Sequence, residues 1–191
     1  MPYISTWGAE RDLSGHIIVG RRGIVFADES PLDRDTQGAL WRRMSLHQRE
    51  GKPQHGGVHP QRQRRAMQRL LCQVCAGPSD QDDRGTLWLL ETAEDEWEGW
   101  PNGLVTSHPP MCLACAPQAV RYCPNLRNGY VALRVAKSDV CGVHGPLYHR
   151  GPGIQAVPGD HAIVLYDEPQ IRWVLAEQSV RELQSCTIVD L

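Results

Sequence analysis

Four cysteines occur as two Cys-x-x-Cys pairs, Cys72-Gln-Val-Cys75 and Cys112-Leu-Ala-Cys115. Two intervening residues let a tight turn aim both sulfurs at one point, and two such turns complete the tetrahedral thiolate set that holds Zn2+. The first pair is followed by Ala76-Gly77-Pro78, a sequence suited to closing a knuckle. The second opens a predicted helix over 111–123, whose positive N-terminus favours thiolate anions. One structural zinc ion is therefore expected at Cys72, Cys75, Cys112 and Cys115. Four thiolates leave no coordination position for water, so this metal would organise the backbone without activating a substrate.

The other candidates are less constrained. Cys141-Gly-Val-His144 has ligand spacing, with His149 or Cys186 able to complete a second site. If the segment is a strand, however, residues three apart face opposite sides. Cys123 and Cys186 read as small core residues. His55 and His59 stand four apart in a Gly-rich stretch, and His108 precedes Cys112 by four residues. His55 and His59 read either as a catalytic or phosphate-contacting pair or as loop histidines on a solvated surface, and His108 either as a general base or as a side chain that fixes its loop through a backbone hydrogen bond. Arg62, Arg65 and Arg69 recur at helical spacing and offer guanidinium forks to a nucleic acid or an acidic protein. Between Arg42 and Arg69 stand eight bases and one acid, and between Asp80 and Glu98 eight acids and one base. Such neighbouring blocks either polarise the surface or neutralise each other within the fold.

These groups need elements to position them. His16–Val19 and Gly23–Ala27 read as a β-hairpin around Gly20-Arg-Arg. A helix is expected over 33–44 and a polar loop over 45–59. Pro60 opens a helix to Leu71, with Ala66, Met67, Leu70 and Leu71 inward, that runs directly into Cys72. Thr86–Leu90 reads as a strand, 91–103 as an acidic, Trp-containing excursion, and 130–135, 140–148 and 161–166 as strands. Pro169 opens a last predicted amphipathic helix with Ile171, Val174, Leu175 and Leu183 inward. No stretch approaches the ~20 apolar residues of a membrane span. The start of the chain lacks the pattern of a signal peptide, so the expected compartment is a reducing cytoplasm, where cysteines more often bind metal than pair. Motifs for dinucleotide binding, the P-loop, the α/β-hydrolase elbow and the zincins do not occur.

The stretch 60–124, in which Arg65-Ala-Met-Gln-Arg-Leu-Leu-Cys72-Gln-Val-Cys75 brings a basic helix into the first pair, resembles treble-clef zinc proteins, among them the HNH and endonuclease VII-like nucleases. The resemblance implies a knuckle, a β-hairpin and a helix carrying the second pair. In the nucleases the hairpin also carries an Asp-His or His-His pair, supplying the general base and a catalytic metal ligand; Thr86–Leu90 has no histidine. The expected fold is thus α+β, with small antiparallel sheets and short helices around a treble-clef-like, four-cysteine zinc site. One compact unit is expected over 1–191, built from a β/helix segment (1–54), the zinc core (55–128) and C-terminal strands with a helix (129–191). The leading functional expectation is a zinc-binding interaction module contacting nucleic acid or an acidic partner through Arg62, Arg65 and Arg69. The alternatives are a diverged HNH-type nuclease or other small enzyme using His108 with His55 or His59, and a purely structural protein.

Overall fold

The structure is a computed structural model that describes residues 1–92 and 97–191. Glu94, Asp95 and Glu96 of the acidic block lie outside the described residues. Along the chain run strands β1 (Ser5–Trp7), β2 (Ile17–Val19), β3 (Ile24–Phe26), β4 (Leu40–Trp41) and β5 (Pro53–Val58), then helix α1 (Pro60–Arg69). Strands β6 (Gln81–Asp82), β7 (Gly85–Glu91) and β8 (Leu104–Thr106) precede helices α2 (Ala116–Tyr122) and α3 (Pro124–Arg127). Strands β9 (Tyr130–Arg150), β10 (Ala156–Leu165), β11 (Leu175–Ala176) and β12 (Gln178–Val189) complete it. The fold is mixed, with small sheets, few short helices and a predominance of strand. Among the described residues no helix is long and apolar enough to cross a membrane.

The chain divides into two compact units. The first comprises Met1–Ile4, Arg62–Val140 and Val180–Leu191, and the second Ser5–Gln61 and Cys141–Ser179. In the first unit the strand order is β6-β7-β9-β12-β8. Strand β7 pairs antiparallel with the first third of β9, Trp88 opposite Leu133, Leu89 opposite Ala132 and Leu90 opposite Val131. Alternate residues of a strand point to opposite faces, and here both faces are covered. Trp88, Leu90, Val131, Leu133 and Val135 join Leu183 in one apolar cluster. Leu89 and Ala132 join Cys72, Met111, Ala116 and Leu126 in the other. A strand buried on both faces reads as a continuous apolar run, which is how Leu87–Leu90 reads.

In the second unit β1 pairs with β5, β2 with β3, and the C-terminal part of β9 with β10, all antiparallel, while β4 and β11 pair in parallel. Ile24, Phe26, Leu40 and Leu175 form one cluster, and Ala39, Trp41, Val143, Val164, Ile171 and Val174 another.

The β2–β3 hairpin, α1 and β7 match the sequence expectations. Four expectations are corrected. The helix over 33–44 is a 3-10 turn at Pro31–Asp33 followed by strand β4. The Asp35 carboxylate accepts from the Gln37 and Ala39 amides, 3.0 Å each, and from Trp41 Nε1 at 2.9 Å. That local capture competes with helical hydrogen bonding, and Gly38 at φ +93° turns the chain away. The polar loop over 45–59 contains strand β5, because β1 supplies it with a ladder. The helix over 111–123 begins only at Ala116, and Pro124 opens α3. The helix from Pro169 is a 3-10 turn of four residues followed by β11 and β12. Ile171, Val174 and Leu175 do turn inward, but Ser179–Leu183 continues as a strand between β9 and β8. Tertiary pairing outweighs the helical spacing there.

Two of the block arginines are tied locally in the second unit. Arg42 pairs with Asp12 at 2.7 Å and Glu177 at 2.5 Å. Arg43 grips Asp33 with Nε at 2.7 Å and Nη2 at 2.6 Å and also reaches Asp28 at 2.9 Å. In the first unit, Asp80 and Asp82 pair with Arg134 at 2.5 and 3.3 Å. The Arg43 fork, with the Ser30 amide, holds the Asp33 carboxyl down to about 2. Because the folded value lies below the ordinary 3.8, the ionised form stabilises the fold above that pH, and its contribution is lost as pH falls toward 2. Asp33→Asn should therefore cost about 1–3 kcal/mol near neutrality. It should also flatten the fall in melting temperature between pH 3.8 and about 2, followed by circular dichroism. An unaltered acid limb would show that this pair does not set the acid stability.

Candidate metal centre

The approach to the centre begins in α1. Leu70 adopts φ +50° and the Leu71 amide reaches back to Ala66 O at 2.9 Å, a Schellman-type end with leucine in the left-handed position. The chain then enters a knuckle: Ser79 N donates to Leu70 O (3.1 Å), Cys72 N to Gly77 O (2.8 Å) and Ala76 N to Cys72 O (2.9 Å). Ala76 sits at φ +62°, which lets the chain reverse direction between the two cysteines and Gly77. The second pair lies in the turn before α2, where the Cys115 and Ala116 amides donate to Cys112 O at 3.1 and 3.2 Å.

Backbone bonds hold the two turns together. Gln73 N donates to Pro110 O at 3.1 Å, Met111 N to Leu87 O at 2.9 Å, and Asp80 N to Met111 O at 3.0 Å. Met111, 1 % exposed, packs with Leu89 and Ala132 beneath the cysteines. The cysteine spacing does not disclose Met111; its one signal is an apolar side chain immediately before Cys112, after two prolines.

The four sulfurs all lie within 4.8 Å of one another, and Cys75 Sγ is 3.8 Å from Cys112 Sγ. A metal–sulfur bond of ~2.3 Å gives a tetrahedral edge of about 3.8 Å, whereas a disulfide needs ~2.05 Å. The group is therefore spaced to hold a metal ion. Cys72 is fully buried and Cys75 exposed, so the centre sits at the edge of the core with one sulfur toward solvent.

The electrostatics fit a cation. Burial raises the Cys72 thiol, but hydrogen bonds from the Cys75, Cys112 and Val74 amides outweigh it and the net shift is downward. Burial pushes Cys112 and Cys115 up, and the neighbouring Cys72 charge adds to the rise at Cys115. Thiolates crowded this way resist ionising together. A divalent ion at their centre removes that opposition and deprotonates them outright. Amides bonded to Cys72 are the kind of outer support that orients a sulfur able to serve as a ligand.

The other candidates are dispersed. Cys123 packs against the metal-side cluster and Cys186 against the opposite one, where burial raises its thiol to about 11. Cys141 and His144 stand on β9, and among the described residues the four cysteines alone form a converging group of metal-ligand side chains. His59 is fully buried in the second unit, Nε2 3.1 Å from Ser45 O and 3.6 Å from Glu10 Oε1. His55 is exposed on β5. His108 serves the first unit through its backbone, its carbonyl accepting from Trp88 Nε1 at 2.9 Å. Arg62 is only 4 % exposed and does not share an open face with Arg65 and Arg69, which are exposed. Arg65 Nη1 donates to Tyr3 Oη at 3.0 Å.

Comparisons with known protein families, with curated proteins and with solved structures returned no match to this chain.

The centre makes a stoichiometric prediction. With metal bound, a thiol reagent should titrate no more than Cys123, Cys141 and Cys186 in the native protein, and chelation should release four more thiols. Rapid reaction of all seven before chelation would exclude a loaded four-thiolate site.

Proposed function

We propose that the chain is a non-catalytic zinc-binding interaction module with a treble-clef-like centre. The observation that carries this reading is the convergence of Cys72, Cys75, Cys112 and Cys115 from two separate turns onto one tetrahedral-sized space. Zinc suits four thiolates and tetrahedral geometry; iron is the other metal that such a donor set takes. The element order supports the treble-clef reading: a knuckle, the β6–β7 hairpin, then the second pair at the start of α2. With all four positions filled by sulfur, the ion would join the Cys72 turn to the Cys112 turn and supply folding energy rather than chemistry.

The interaction surface in this reading is the exposed side of α1, where Arg65 and Arg69 stand one turn apart beside exposed Gln68. Two guanidinium groups at that spacing suit an acidic protein segment or adjacent phosphates of a nucleic acid. Buried Arg62 has a structural part in it. Full burial of His59 removes one member of the proposed catalytic pairing from contact with a substrate, so the module reading is preferred over an enzyme.

Elemental analysis of the purified protein should give one zinc per chain. Cys112→Ser should lose it together with roughly 10 kcal/mol of folding free energy, enough to leave the first unit unfolded. Iron in place of zinc would replace the metal assignment, and absence of any metal would end it. For the surface, fluorescence anisotropy with a labelled oligonucleotide and with a polyglutamate peptide should show salt-dependent binding, reduced at least about tenfold in Arg65→Ala/Arg69→Ala. Equal binding by the double variant would remove α1 from the interface.

A further inference from the structure

The second unit contains a cavity of about 700 Å³ whose lining includes Arg21, Arg22, Arg34 and Arg172, with Glu29 as its acid. Its volume is within the range of small-molecule sites. The four arginines are not equivalent. Arg34 is already engaged: Nε and Nη2 grip the Glu29 carboxylate at 2.7 and 3.0 Å, Nη2 also donates to Ile24 O at 2.7 Å, and Nη1 donates to Gly38 O at 2.8 Å. This pair is a neutral brace joining β3 to the following loop. Arg21, Arg22 and Arg172 are exposed, and no described residue pairs with their guanidinium groups. Three uncompensated positive charges thus stand around a cavity whose single acid is already used.

Their convergence is built by the backbone. Arg21 and Arg22 lie in the β2–β3 turn, about 150 positions in sequence from Arg172, which ends the 3-10 turn after Pro169. Gly23 joins them. It adopts φ +144°, and a Cβ there would stand 2.0 Å from Arg172 O, so only glycine lets the hairpin turn close onto the Arg172 backbone. Fixing three like charges at one opening is unfavourable by itself, and a multiply charged anion between them offsets that cost. The forks match phosphate oxygens, while half-buried Val25 contributes an apolar contact. We propose that this cavity binds a small phosphate-bearing anion of mononucleotide size, its phosphates held by Arg21, Arg22 and Arg172 and its body against Val25. The site shares no residue with the cysteine centre and does not depend on the metal.

Calorimetric titration of the full chain at about 50 mM salt, where exposed charges are weakly screened, tests the site with ADP and with inorganic pyrophosphate as probes. ADP should bind saturably and more tightly than pyrophosphate. Arg22→Ala and Arg172→Ala should each weaken ADP by about tenfold or more, Arg172→Lys should retain part of the affinity, and Arg121→Ala, in the other unit, should leave it unchanged. Exposed side chains are chosen so that the variants fold, which their unaltered thermal melts would establish. Three results would overturn the site: no saturation by either probe at millimolar concentration, equal ADP affinity in the arginine variants, or oligonucleotide binding through these arginines that ADP does not displace.

Discussion

The constraint on which the first unit depends is that β7 must be covered on both faces. One of its edges is paired with β9, so the strand's position is set, and its alternating side chains then impose two different environments. Trp88 and Leu90 call for the cluster shared with Leu133 and Leu183. Leu89 calls for a second layer on the other face, and the chain supplies it with Cys72, Met111 and Ala116. The cysteine turns are brought to one place because apolar burial carries the residues beside them onto Leu89. The Met111 amide on Leu87 O and the Asp80 amide on Met111 O set how close they come. Structural metal sites draw their affinity from such prior organisation as well as from their ligands.

The charges are distributed by a related logic. Arg134 is 5 % exposed and lies on β9, so its guanidinium needs partners as the strand folds. Asp80 and Asp82, at the start of the β6–β7 hairpin, provide them, with Gly85 O a third acceptor at 3.3 Å. Part of the acidic block is thereby a structural device that anchors the segment after the knuckle. Arg181, 8 % exposed on β12, is treated the same way, donating to Met67 O at 3.0 Å and to the Ser138 carbonyl. Buried guanidinium groups that find backbone carbonyls tie strand to helix without requiring an acid of their own.

How much of this was legible in the sequence follows from which signals are local. The two Cys-x-x-Cys turns, the β2–β3 hairpin, α1 and β7 each depend on a few adjacent residues, and each was readable. The fold class was readable only coarsely, as a mixture of small sheets and short helices. The 33–44 and 169–183 segments carry helical spacing at Leu40, Trp41 and Met44, and at Ile171, Val174 and Leu175, yet become strands. Asp35 captures its own backbone in the first case, and β9 and β8 flank Ser179–Leu183 in the second. The first competitor is local, an Asp side chain that apolar spacing does not register; the second lies far along the chain, outside any short window. The basic face of α1 misled for a similar reason: spacing places Arg62 on the same side as Arg65 and Arg69, but burial of one member is decided by what packs over the start of the helix. The arginine cavity was least legible, since it joins a turn at 21–23 to a turn ending at 172, and no spacing rule spans that interval.

The chain leaves and re-enters each unit, yet each unit has its own apolar clusters, and the two features that invite ligands fall on different sides of that division. The cysteine centre rests on Leu89 and Met111 in the first unit, and the cavity on the Arg34–Glu29 brace and Gly23 in the second. Sites with no common residue and no common cluster are expected to respond to substitution nearly additively. A closed four-thiolate site is satisfied once its ion is bound and has no coordination left for a second ligand. The exposed guanidinium groups of Arg21, Arg22 and Arg172 are the opposite: well placed, charged and unsatisfied. If one part of this molecule changes its occupancy with conditions while the other remains a fixed staple, the physical chemistry assigns the exchangeable role to the arginines and the permanent one to the cysteines.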